Sequence, residues 1–131
     1  MIVVDASAVA DLLTRGPNAS TIAGLFAAEQ AHAPELIGFE VLSAIRGLIR
    51  GSKLSLADGL GAIHDFEELE SGLELWPLLP SMSDCAISLR ENVTAYDATY
   101  VALAENLGCP LVTTDGKLAR AAQSRIEVRL V

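Results

Sequence analysis

Near its start the chain places an aspartate directly after a run too short and too β-branched to be a helix. "MIVVD" reaches its carboxylate at residue 5, and "LVTTD" repeats the pattern with Asp115 near the other end. Short runs rich in Val and Ile belong to strands covered on both faces, as strands of a parallel sheet are beneath helices. Each aspartate then stands at the C-terminal tip of its strand, and a helix follows ("SAVADLLT" and "DGKLARAAQS"). In open α/β sheets that edge gathers the loops and helix N-termini at which ligands bind. A plainer role competes at each position, because Asp5, Ser7 and Asp115 are all good helix caps and "DG" is a turn signal.

The alternation continues between these ends. Helices are expected in "GPNASTIAGLFAAEQA", "ELIGFEVLSAIRGLIRGS", "SLADGLGAIHDFEELES", "SMSDCAISLREN" and "TAYDATYVALAENLG", and strands in "HAP", "LELWPL", "CPLVTT" and "IEVRLV". Short apolar strands alternating with helices predict an α/β sandwich with a mostly parallel sheet. A length of 131 residues suits one domain, residues 1–131, with a core that needs no staples. Although 51% of the residues are hydrophobic, no run approaches the roughly 18 apolar residues of a membrane span. Nor does the N-terminus carry a basic segment with an apolar stretch and cleavage site, so a cytoplasmic protein without membrane association is expected. Cys85 and Cys109 lie far apart, form no C-x-x-C pair and read as small core residues.

Two further carboxylates sit where charge is costly. Glu40 falls among Leu36, Ile37, Val41 and Ala44, on or beside the apolar stripe of its helix, where an ionised group needs a partner or a metal. An arginine from elsewhere in the fold is the structural alternative. Asp97 lies in the first turn of its helix, with Thr94 three residues before it as a capping partner. The row through Val101 and Ala104 nevertheless carries Asp97 toward the interior. One geometry accounts for all four acids: Asp5, Glu40, Asp97 and Asp115 converge at the C-terminal edge of the sheet as hard oxygen ligands for Mg²⁺ or Mn²⁺. Bound metal would reverse the local sign, so a chain of net charge −8 can still receive phosphate.

The segments "VVDASA", "FEVLSAIRG", "YDATYVALAE" and "LVTTDGKL", in this order and spacing, resemble the PIN-domain ribonucleases, specifically the VapC-like toxins of toxin–antitoxin pairs. The likeness spans nearly the whole chain. It implies a PIN-like three-layer α/β/α sandwich and a metal-dependent endoribonuclease that hydrolyses RNA phosphodiester bonds with metal-activated water. By the same resemblance Asp5, Glu40, Asp97 and Asp115 are the catalytic and metal-holding residues, with Ser7 and Thr114 as hydroxyls beside them. One Mg²⁺ (or Mn²⁺), held mainly by Asp5 and Asp97, would activate the water; a second would stabilise the leaving oxygen. Glu40 would hold metal or orient the water. Some relatives carry another acid shortly after the last motif, where this chain has Gly116 and Lys117. The implied partners are RNA, a second copy of the chain in a homodimer, and a cognate VapB-like antitoxin. The antitoxin's tail would lie along an apolar groove and place a basic side chain in the acidic pocket.

Arg46, Arg50 and Lys53 form a basic row at i, i+4 and i+7, and Lys117 and Arg120 follow Asp115. These five are RNA-binding candidates, with solvated helix-end charges as the alternative. Aromatic residues make up 5%, so base stacking is not expected to carry recognition. His32 and His64 read as ordinary helix or loop residues. Among rivals, a phosphatase of the haloacid-dehalogenase type wants a second acid two residues after the first, where this chain has Ser7. A receiver-type domain wants an Asp on a middle strand, which "LELWPL" lacks. A non-catalytic module that kept the fold is disfavoured by the retention of all four carboxylates.

Overall fold

Ile2–Val4 (β1) is completely buried, with no solvent exposure at any of its three residues. That requires cover on both faces, and the computed structural model, which describes residues 1–131, supplies it. The chain runs from β1 through α1 (Ala6–Leu13), α2 (Ala19–Ala28), β2 (Ala31–Pro34), α3 (Ile37–Arg50), α4 (Leu56–Glu70) and β3 (Glu74–Trp76). It continues through α5 (Pro80–Ser88), α6 (Ala95–Leu107), β4 (Leu111–Thr113), α7 (Gly116–Ala122) and β5 (Val128–Leu130). Each expected strand and helix is present. The strand expected at "HAP" begins one residue earlier, at Ala31, because Ala31 pairs with Ile2. No helix is long and apolar enough to cross a membrane.

The strands form one sheet in the order β3-β2-β1-β4-β5, and every neighbouring pair is parallel. The sheet is therefore wholly parallel rather than mostly so. Helices α1 to α4 pack on one another, and α5 packs on α6, which crosses β1, β2 and β4. The result is the three-layer α/β/α sandwich. One continuous core joins Ile2, Val4, Ile37, Ile45, Val101, Leu103 and Leu111. Packing tightens where α3 meets α4, since a Cβ on Gly59 would stand 2.4 Å from Ile49 Cδ1. A side chain at position 59 would force Ile49 to move.

This strand order also determines where a site can form. From β1 the chain moves outward to β2 and β3, then returns to the other side of β1 as β4 and moves outward again to β5. The connections diverge between β1 and β4, leaving a crevice at their C-terminal ends, the topological switch point of an open parallel sheet. Asp5 and Asp115 follow the two strands that flank it.

Candidate active site

Helix caps bring the acids to the crevice. Asp5 is the N-cap of α1, and its Oδ1 accepts from the Ala8 N–H at 2.9 Å. Asp115 caps α7, its Oδ1 accepting from the N–H groups of Lys117 and Leu118 at 2.7 and 3.2 Å. Thr94 caps α6 and holds the Asp97 N–H at 3.1 Å, placing that carboxylate in the helix's first turn. The capping role and the role in a site are therefore compatible: the cap fixes one carboxylate oxygen or the backbone and leaves other oxygens directed elsewhere. Asp5, Glu40, Asp97 and Asp115 all line one open cavity of about 730 Å³, together with Ser7, Ser43, Tyr100, Phe39 and Tyr96.

Asp5 is the best-held acid, at 5% exposed. Besides the Ala8 N–H, its Oδ1 accepts from the Ser7 hydroxyl at 2.7 Å, while Oδ2 accepts from the Thr113 hydroxyl at 2.6 Å. Those two hydroxyls in turn accept from the backbone of the β4 tip. The Thr114 N–H donates to Ser7 Oγ at 3.0 Å, and the Asp115 N–H donates to Thr113 Oγ1 at 2.9 Å. Chained bonds of this kind polarise one another, so the two strand tips are locked together through Asp5.

The hydroxyl partner of Asp5 is thus Thr113, not the expected Thr114, which contributes only its backbone N–H. Register is the cause. Val4 pairs with Val112, so Asp5 lies beside Thr113, and Asp115 extends two residues beyond the level of Asp5. Treating the two aspartates as equivalent strand ends places the neighbouring hydroxyl wrongly. At the position where a dehalogenase-type phosphatase has its second acid, Ser7 instead bonds Asp5.

Glu40 is half-buried on α3, and its Oε2 accepts from the Tyr100 hydroxyl at 2.6 Å. Its partner is this phenol rather than an arginine. Tyr100 lies one turn after Asp97 on α6, and that i, i+3 spacing was the sequence signal for it. Burial, opposed by the Tyr100 bond, raises the Glu40 pKa, and Asp97 and Asp5 raise it further. Burial likewise raises Asp5, against the bonds from Thr113, Ala8 and Ser7, with Asp97 adding to the rise. Desolvation and the neighbouring carboxylate raise the Tyr100 phenol strongly, so it donates and stays protonated.

No lysine, arginine or histidine lines the cavity. His32 lies on β2, not in a helix or loop, and its Nδ1 accepts from the Trp76 indole N–H at 3.1 Å. His64 is exposed beside Glu67. Both cysteines are buried and free. The five basic candidates lie outside the cavity lining: Arg46, Arg50, Lys53, Lys117 and Arg120 are exposed and enter no ion pair, whereas Arg90, Arg125 and Arg129 do. Lys53 lines a neighbouring hollow that shares Ser7 and Ala44 with the acidic cavity.

The donor set is all oxygen, and several of those oxygens have no partner. Glu40 Oε1, Asp115 Oδ2 and both oxygens of Asp97 accept no bond within the chain. That chemistry fits a hard divalent cation. No three of the acids stand close enough to enclose an ion by themselves. This suits an ion that keeps several waters and is held through one or two carboxylates together with substrate phosphate.

A wholly parallel sandwich with carboxylates at its switch point defines a class, and the chain belongs to the PIN domain family, whose model matches residues 2–124. Among relatives, Ribonuclease VapC12 of Mycobacterium tuberculosis (strain ATCC 25618 / H37Rv) is 39% identical over 131 residues, 100% of this chain and 99% of that protein. The solved structures that share the fold include the following two. PAE2754 from Pyrobaculum aerophilum aligns with a TM-score of 0.71 at 23% identity, covering 96% of this chain and 82% of that one. VapBC2 from Rickettsia felis, bound to a DNA fragment from their promoter, aligns with a TM-score of 0.68 at 13% identity, covering 99% and 98%.

Proposed function

We propose that the chain is an endoribonuclease, the toxin of a toxin–antitoxin pair, which hydrolyses RNA phosphodiester bonds with the help of a divalent cation. The observation that carries this reading is the convergence of four carboxylates from β1, α3, α6 and the end of β4 on one cavity with no cationic side chain in its lining. Kinship with Ribonuclease VapC12 over its whole length supports it.

Asp5 and Asp97 are the principal metal-holding residues, with Glu40 and Asp115 completing the acidic wall. Mg²⁺, or Mn²⁺ in its place, is the proposed ion; when bound it lowers the pKa of water and offsets phosphate charge. The network of Ser7 and Thr113 holds Asp5 in one orientation, so the carboxylate needs no reorganisation as substrate arrives. Tyr100 fixes Glu40 Oε2 and leaves Oε1 to accept a proton from an attacking water. Its raised pKa makes Glu40 a better base than a free carboxylate. Arg46, Arg50, Lys53, Lys117 and Arg120 steer the RNA backbone toward the cavity.

An antitoxin and a second copy of the chain are the proposed protein partners. Leu42 on α3 and Leu56 and Leu60 on α4 are exposed and offer apolar surface to a partner segment, and an acidic cavity without its own cation can receive a basic side chain. The cytoplasm, where RNA is available, is the proposed location. The test is incubation of mixed cellular RNA with purified, antitoxin-free protein in Mg²⁺ or Mn²⁺ and in EDTA, alongside Asp5→Asn. Cuts at discrete sites that need metal and vanish in the variant are expected. A folded protein that cuts nothing under either metal would move the reading to a non-catalytic binding module.

A further inference from the structure

The chain has one Trp, two Tyr and three Phe, and of these only Phe39 and Tyr96 are exposed, at 81% and 62%. Both line the carboxylate cavity. Phe39 immediately precedes Glu40 on α3, and Tyr96 immediately precedes Asp97 on α6. At 3.6 residues per turn each ring leaves its helix about 100° around from the neighbouring acid. The rings therefore flank the carboxylates from two different helices. Neither is needed for the carboxylate chemistry, and neither is spent on the core.

The adjoining hollows continue the pattern. On one side, a hollow sharing Ser7 and Ala44 with the cavity contains Lys53. On another side, a hollow sharing Leu36 and Phe39 contains Trp76 and Leu78. The carboxylate cavity thus borders a hollow that holds Lys53 beside Asp11 and another that holds Trp76 beside Glu35. A nucleotide chain has complementary chemistry, an anionic backbone and flat faces that stack on rings.

We propose that Phe39 and Tyr96 are base-stacking walls, holding unpaired nucleobases of the RNA beside the phosphate presented to the carboxylates. This rests on the nuclease reading and deepens it by assigning two residues that grip the bases, since a base face free to meet a side-chain ring has left the helical stack. Placement outweighs scarcity here: few aromatics are present, but the two exposed ones stand at the site.

The test measures fluorescence polarisation of a labelled short single-stranded RNA of random sequence, and of an abasic strand with the same ribose-phosphate backbone, in Mg²⁺. The Glu40→Gln background suppresses cleavage during the measurement and leaves Asp5 and Asp97 to hold the ion. Phe39→Ala and Tyr96→Ala are expected to raise Kd about ten-fold on the RNA and to leave Kd for the abasic strand unchanged. Phe39→Trp should restore binding, and Phe39→Leu should not. Equal losses on both strands, or full rescue by Leu, would overturn the proposal. Unchanged RNA binding with a shift of the Phe39→Ala variant from dimer to monomer would also overturn it and assign the ring to a contact between copies. Parent protein that cleaves RNA while the ring variants bind it normally refutes this inference alone. Parent protein that neither binds nor cleaves RNA refutes the nuclease reading and this one with it.

Discussion

Replacing Thr113 with valine probes the network that holds Asp5. The side chain is fully buried, and valine keeps its shape while removing the hydroxyl. Asp5 Oδ2 then loses its 2.6 Å donor and the Asp115 N–H loses its 2.9 Å acceptor. A bond to a charged group contributes about 1.5–3 kcal/mol and a neutral one about 1 kcal/mol. The expected loss is therefore about 3 kcal/mol, or about 10 °C in Tm for a domain of this size. A native stability of about 5–15 kcal/mol leaves the variant folded.

The loss should depend on pH. The Thr113 hydroxyl favours the carboxylate form of Asp5, so the variant raises further a pKa that burial has already raised. Above that pKa the full loss applies, and below it, with Asp5 protonated, the loss shrinks toward that of a neutral bond. Urea unfolding followed by Trp76 fluorescence over a series of pH values from the ordinary carboxylate range upward follows the loss between the two limits. A loss below about 1 kcal/mol at the upper end of the series, or one that does not vary along it, would refute the network's role.

Two further outcomes follow from the same site. Glu40→Gln keeps an acceptor for the Tyr100 hydroxyl and removes one of three mutually repelling charges. A folded-state pKa raised above its unfolded value makes the metal-free protein lose stability as pH rises from the ordinary carboxylate range through that raised pKa. The variant should escape that loss, gaining about 0.5–2 kcal/mol at neutral pH in EDTA by thermal melts while losing cleavage at least about 100-fold. Removing Arg46, Arg50 and Lys53 together should lower the slope of log K against log salt by about 0.7 per charge, leaving cleavage at saturating RNA unchanged; a filter-binding series over ionic strength reads the slope.

Much of the fold was legible because the strands carry their burial in their composition. Ile2–Val4 and Leu111–Thr113 have no polar alternation, and Gly108, at φ 62°, ends α6 where the sequence stops being helical. All four acids were legible as residues out of place, Glu40 above all. The partner hydroxyl of Asp5 was not, because a choice between Thr113 and Thr114 depends on the register between β1 and β4, which pairs residues 108 positions apart. Tyr100 was visible as an apolar stripe member, but its hydroxyl's target lies on α3, 60 residues away. The switch point itself is a property of strand order and cannot be read from any single segment.

The central claim is that these carboxylates are arranged for a divalent cation. Calorimetric titration of Mn²⁺ into the metal-free protein at neutral pH and at a series of lower pH values tests it directly. Binding is expected to weaken as pH falls, because protons that Asp5 and Glu40 hold more tightly than free carboxylates do compete with the ion, and to be lost in Asp97→Asn with the fold intact. Absence of binding in the parent protein, or binding that Asp97→Asn leaves unchanged, would contradict it.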